Sequence, residues 1–143
     1  MKKLTVALFL LVLTVPTFAA EKKIIHPPEF PAGRPYSPGV QFGDTLYCSG
    51  QTGPDVKSGQ YPAKFEDEVH NIFKRIRIIL EAAGYGYSDV VDVKVFLADI
   101  SLYSRMNAVY TEYFKQDRPA RTTVAVAALP GGARIEITAV ACK

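Results

Sequence analysis

Apolar residues recur at three-to-four spacing from Phe65 to Ala83: Phe65, Val69, Ile72, Phe73, Ile76, Leu80 and Ala83. That is one stripe of an α-helix, and Gly84 stands where a left-handed residue ends one. Leu102, Met106, Val109, Tyr110, Tyr113 and Phe114 form a second stripe, with Asp99 or Ser101 placed to cap it. Val90 to Leu97 (VVDVKVFL) is β-branched and predicts a strand. Its Val91, Val93, Val95 and Leu97 share one side, and Asp92, Lys94 and Phe96 the other. Val40 to Phe42 and Thr45 to Ser49 alternate around Gly43-Asp44, a two-residue hairpin signal. Near the end, Arg121 to Ala127 and a strand through Ile135-Glu136-Ile137 flank Leu129-Pro130-Gly131-Gly132. Pro fixes one φ there and Gly takes positive φ, so the stretch reads as a closing hairpin. Glu21 to Pro35 is a Pro-rich extended lead-in, and Gly50 to Lys64 is loop.

The resulting order is β-β-α-β-α-β-β. Crossovers through helices imply parallel pairing and hairpins imply antiparallel pairing. The fold class is therefore α+β, with one mixed β-sheet and two helices on one face. The opposite face is half polar and needs a cover, which suits a subunit interface.

Charge changes meaning once the N-terminus is read. Lys2-Lys3, the apolar run Leu4 to Pro16, and Thr17-Phe18-Ala19 have the layout of a secretory signal peptide. The run is too short to span a bilayer. The expectation is cleavage near Ala19, one domain over residues 20–143, a periplasmic or secreted location, and no membrane attachment afterwards. The precursor has 17 basic and 14 acidic residues. Loss of Lys2 and Lys3 brings the mature chain to a net charge of +1. No basic stripe with interleaved aromatics remains, so the composition does not point to nucleic acid.

Candidate chemistry centres on Arg121 and Glu136, charged residues within strands. A guanidinium grips a carboxylate with a two-pronged fork, and a carboxylate positions and deprotonates water. A hairpin would bring the two to one end of the sheet. Two readings stand: a site that holds and hydrolyses a small organic acid, or a cross-strand ion pair of little energetic weight. The cysteines, Cys48 and Cys142, lie in apolar strand contexts and are expected reduced and buried despite an oxidising compartment. They are expected in strand geometry poor for bridging. His26 and His70 are far apart and have no Cys at ligand spacing, so no metal site is expected.

From Arg34 onward the chain resembles the Rid family (reactive intermediate deaminase, RidA/YjgF). Four segments carry the likeness: Arg34-Pro35-Tyr36-Ser37-Pro38; Leu46-Tyr47-Cys48-Ser49-Gly50-Gln51; Val93 to Ala98 running on to Asn107-Ala108-Val109-Tyr110; and Pro119-Ala120-Arg121-Thr122-Thr123-Val124 with Ile135-Glu136-Ile137. Arg34 and Pro38 depart from the family pattern, which has Gly and Gln beside the Tyr. Arg118 stands where an apolar residue is frequent. Both arginines add positive charge near the expected cleft, favouring acidic ligands, or are solvated rim residues.

The resemblance implies a chorismate-mutase-like fold. It implies a homotrimer with clefts between subunits, and hydrolysis of enamines and imines to ketones and ammonia without a metal or organic cofactor. Carried over residue by residue, Arg121 binds the substrate carboxylate and Glu136 positions water. Tyr36 and Asn107 line the cleft, and Gly50 gives a ligand access to backbone. Three other classes remain in play: an exported carboxylate-binding protein without turnover, a holdase chaperone, and an endoribonuclease. The near-neutral mature charge and the lack of a phosphate cradle weigh against the last.

Overall fold

The structure, a computed structural model, describes residues 21–55 and 58–143. Residues 1–19, expected to be a signal peptide, lie outside the described residues. Six strands form one sheet in the order β1-β2-β3-β6-β4-β5. They are β1 Lys22–Ile25, β2 Gly39–Phe42, β3 Thr45–Gln51, β4 Val90–Leu97, β5 Ala120–Ala125 and β6 Ile135–Cys142. The helices are α1 Phe65–Ala82 and α2 Tyr103–Tyr113. Every pairing is antiparallel except β4 with β5. The α+β class with a mixed sheet and two helices is as expected, with one strand added at the N-terminus. β1 falls in the stretch expected as an extended lead-in and pairs with β2. It is an edge strand of four residues beginning with two lysines, a short charged edge that discourages pairing with another chain.

The local signals decide the hairpin and the helices. Gly43 takes φ 57° between β2 and β3, as a primed hairpin turn requires. Helix α1 ends in a Schellman arrangement: Gly84 (φ 80°) donates to the Glu81 carbonyl, and Tyr85 donates to Leu80. Asp99 Oδ1 accepts from the Ser101 amide at 2.8 Å. It caps a short 3₁₀ turn, Ile100–Leu102, that feeds α2. Both helices cover one sheet face. Phe65, Phe73, Ile76, Leu80, Val93, Val95, Leu97, Ile135 and Ile137 are buried there. Phe73 stacks on Tyr113 with ring centroids 4.2 Å apart, which ties the two helices together.

Three expectations need correction. The closing hairpin does not exist: β4 lies between β5 and β6. β5 runs parallel to β4, and β6 antiparallel to it. The Pro130–Gly132 segment is a 3₁₀ turn with Gly131 and Gly132 at positive φ. It carries the chain over the end of β4, whose flanks are fixed where Ala98 donates to the Arg134 carbonyl and Val126 donates to Leu97. Second, Val91 does not share the buried side of β4. The register shifts between Val90 and Asp92, so Val90 is buried and Val91 is exposed. A bulge changes which face a side chain meets. Third, Cys48 is buried, as expected, but Cys142 is exposed. The β3–β6 register pairs Cys48 with Ala139 and Cys142 with Thr45. Cys48 therefore points into the helix-covered face and Cys142 points to the other face. Both are free thiols.

The face away from the helices presents Phe42, 54% exposed, and Tyr47, 52% exposed. Ile24 on β1 and Val124 on β5 are exposed on it too, and the Lys94–Asp92 ion pair of β4 lies on the same face.

Candidate functional site

Arg121 and Glu136 occupy different places in the subunit. Arg121 pairs with Val93, and Glu136 pairs with Phe96. They stand two strands and three residue levels apart, roughly 14 Å at ordinary strand spacings. They also face opposite ways: Arg121 turns toward α2, and Glu136 lies on the face without helices. A cross-strand ion pair between them is excluded, and so is a single-subunit site that uses both.

Each has a cavity of its own. Around Arg121 lies a cavity of about 420 Å³ lined by Asn107, Tyr110, Thr111, Arg118, Pro119 and Arg121. The Arg121 guanidinium sits 4.4 Å from the Tyr110 ring centroid and 5.7 Å from that of Tyr103. Its Nη2 donates to Tyr103 Oη at 3.3 Å. Two aromatic faces thus hold the fork in place. A hydrogen bond from Asn107 and then the Arg121 charge favour the Tyr103 phenolate and lower its pKa. Tyr110 Oη is buried without a protein partner, and burial raises its pKa. No carboxylate lines this cavity, and Arg118 adds a second cation to it. Arg118 Nε is committed to the Phe114 carbonyl at 3.1 Å.

Glu136 lies in a second cavity of about 530 Å³, lined also by Arg34, Tyr36, Ser49, Gly50, Thr52, Pro54, Tyr61, Pro130 and Gly131. A Cβ on Gly50 would overlap the Glu136 carboxylate. The absence of a side chain at Gly50 leaves the space that this carboxylate occupies. Tyr36 is half exposed and accepts from Arg34 Nη1 at 2.9 Å. Tyr61 Oη donates to Thr52 Oγ1 at 3.2 Å and closes the wall opposite. The expected site residues thus fall into two groups. Arg121 and Asn107 form one, and Tyr36, Gly50 and Glu136 form the other.

One residue that shapes the second cavity escaped the sequence reading. Glu68 is fully buried. Its Oε1 accepts from the Arg134 amide at 2.9 Å and its Oε2 from Arg134 Nε at 2.7 Å. Arg134 also donates to the carbonyls of Ala63 at 3.1 Å and Pro62 at 2.6 Å. This network fixes the start of β6, two residues before Glu136, against the N-terminus of α1. A signal was present: Glu68 lies three residues after Phe65 and four before Ile72, on the apolar stripe rather than beside it. Of the expected bystanders, His70 Nδ1 lies 2.8 Å from Tyr113 Oη, a packed histidine.

Comparison with known proteins agrees with the fold and the motifs. The family model described as endoribonuclease L-PSP matches residues 28–143. The cattle protein named 2-iminobutanoate/2-iminopropanoate deaminase is 44% identical over 124 residues, covering 85% of this chain and 90% of its own. The crystal structure of the E. coli YjgF gene product superposes with a TM-score of 0.79 at 34% identity, covering 85% of this chain and 98% of that one. E. coli TdcF with bound serine gives a TM-score of 0.79 at 32% identity, covering 85% and 99%.

Proposed function

The chain belongs to the reactive intermediate deaminase family, and from that premise we propose that it hydrolyses 2-imino acids to 2-keto acids and ammonia. The site proposed for this is assembled between two copies of the chain. The observation that carries the reading is the split itself: a carboxylate-gripping fork without a base, and a base beside a cavity without that fork. The apolar residues Phe42, Tyr47, Ile24 and Val124 on the uncovered sheet face supply a surface for assembly. A homotrimer in which each Arg121 cavity meets a neighbour's Glu136 cavity gives three equivalent sites. The deaminase names of relatives at over 40% identity support the activity. The serine bound to TdcF carries the carboxylate that Arg121 is assigned to hold.

In the assembled site Arg121 binds the substrate carboxylate bidentately, its plane preset by Tyr103 and Tyr110. Asn107 lines the same wall. Glu136 takes a proton from water as the oxygen bonds to the C=N carbon, and the π electrons go to nitrogen. It returns that proton to the nitrogen, giving a carbinolamine, and then takes the hydroxyl proton and delivers it to the amine. As it does so the C–N bond breaks, ammonia leaves, and the C=O bond forms. Exclusion of bulk water at the interface strengthens both electrostatic effects. The assay is keto-acid and ammonia release from a freshly generated 2-imino acid. Wild type accelerates it. Arg121→Ala loses the acceleration while remaining a trimer by sedimentation. An Arg121→Ala enzyme with unchanged turnover overturns the assignment.

Export of this family member is part of the same proposal and rests on the sequence of residues 1–19. A mature protein in the periplasm or medium whose N-terminus lies near Ala20 supports it, and retention of Met1 in the cytoplasm contradicts it.

A further inference from the structure

Tyr36 sits at the junction of three cavities, and Arg34 lines all three. Its Nη1 donates to Tyr36 Oη at 2.9 Å, and its guanidinium carbon lies 5.9 Å from the centre of that ring. The hydroxyl thus holds one edge of the guanidinium beside the cavity. Ion pairs among the described residues are Lys94–Asp92, Arg105–Glu66 and Arg134–Glu68. Arg34 is in none of them. Within the Glu136 cavity Arg34 and Glu136 are the two charged residues. One is the base proposed above, and the other is a cation with no carboxylate partner.

A second arginine lies near Arg34 and Tyr36. Arg75 and Arg34 line one small cavity of about 200 Å³ together, and Arg34 helps burial lower the Arg75 pKa. Arg75 itself is committed. Its Nε donates to Gln51 Oε1 at 3.1 Å, and its guanidinium lies 4.7 Å from the Phe30 ring centroid. Glu29 and Asp55 line that small cavity too and offset the two arginines there. On the side that faces Glu136, Arg34 shares the cavity with one carboxylate, that of the proposed base, and makes no ion pair with it.

We propose that Arg34 is a specificity residue that selects imino acids carrying a second, side-chain carboxylate. The inference rests on the reading of the site as a 2-imino-acid hydrolase. Arg121 of one subunit takes the α-carboxylate, and Glu136 of the next serves the C=N carbon. A short acidic side chain then extends past Glu136 toward Tyr36 and meets Arg34. Imines derived from four- and five-carbon amino diacids are the ligand class proposed. Their hydrolysis is the reaction already written, with water in and ammonia out, and the second carboxylate takes no part in bond changes. A charge-assisted hydrogen bond of this kind corresponds to a factor of about 10 to 100 in discrimination.

The experiment measures kcat/KM for 2-iminosuccinate and for 2-iminopropanoate, each generated in place by an amino-acid oxidase, with wild type, Arg34→Ala and Arg34→Lys. Wild type is expected to favour the dicarboxylate. Arg34→Ala lowers the dicarboxylate-to-monocarboxylate ratio by about 10- to 100-fold, and Arg34→Lys restores part of it. An unchanged ratio in Arg34→Ala overturns the proposal. A parallel titration with the stable products, oxaloacetate and pyruvate, separates this inference from the reading beneath it. If neither imine is turned over, the hydrolase reading fails. Arg34-dependent preference for oxaloacetate in binding would still support the dicarboxylate site, and binding indifferent to Arg34 would sink it.

Discussion

Replacing Glu68 tests how the strand that carries Glu136 is held. Glu68 is fully buried, and both its oxygens are used by Arg134. Removing one partner of a buried pair leaves the other uncompensated and costs about 3–5 kcal/mol. Arg134 is one-third exposed and keeps its bonds to Pro62 and Ala63. Water can therefore reach part of it, and the lower end, about 3 kcal/mol, is expected for Glu68→Ala. A domain of this size shifts by about 4 °C per kcal/mol, so the melting midpoint should fall by about 12 °C. Glu68→Gln retains the shape but sets an amide N–H against either the Arg134 amide or its Nε. Its loss should approach that of the alanine variant. Both variants should lose turnover in the folded state at low temperature, because the pair fixes the chain two residues before Glu136. Urea unfolding at one protein concentration gives the stability, and imine hydrolysis at 10 °C gives the rate. A loss below about 1 kcal/mol in both variants would put the pair in the class of surface bridges and refute the reasoning.

Three further outcomes are expected. Glu136→Gln should keep carboxylate binding and lose most turnover, since an amide orients water but cannot take its proton; joint loss of binding and turnover would make Glu136 a structural group. Thiol counting in denaturant without reductant should find two free thiols, because Cys48 and Cys142 point to opposite sheet faces. In the native protein Cys48 should resist alkylation at neutral pH, as burial pushes its thiol up to about 12. The third concerns acid: Arg105 bonds Glu66 bidentately at 2.7 and 2.9 Å, and with the Glu66 backbone hydrogen bond holds its carboxyl at about 2. A folded pKa below the unfolded value of about 4.3 gives stability that is present above that value and lost as pH falls toward 2. Arg105→Ala should flatten the fall in urea midpoint across that window; an unchanged slope would remove the pair from the acid response.

Elements set by local signals were legible. The α1 stripe with Gly84, the Gly43-Asp44 hairpin and the β-branched β4 all act within a few residues. The position of β4 between β5 and β6 was not, because no local pattern distinguishes a turn that closes a hairpin from one that steps over an intervening strand. Pro130-Gly131-Gly132 serves either. β1 was hidden by its brevity and by the prolines that follow it. At the site, Arg121 and Glu136 stood out as charged residues in strands, but their faces depend on pairing with β4, which is non-local. Glu68 was legible in principle. Its place in an acidic first turn, Glu66-Asp67-Glu68, masked its position on the buried stripe.

The central claim is that Arg121 and Glu136 act together only across a subunit boundary. Mixing separately purified Arg121→Ala and Glu136→Gln chains, unfolding them together and refolding them tests it most directly. Each variant alone should lose most or all turnover. In a randomly mixed trimer a site works when a chain with intact Arg121 precedes one with intact Glu136, so an equal mixture should recover about a quarter of wild-type turnover. A mixture as inactive as its components, with mixed trimers verified by mass, would contradict the account.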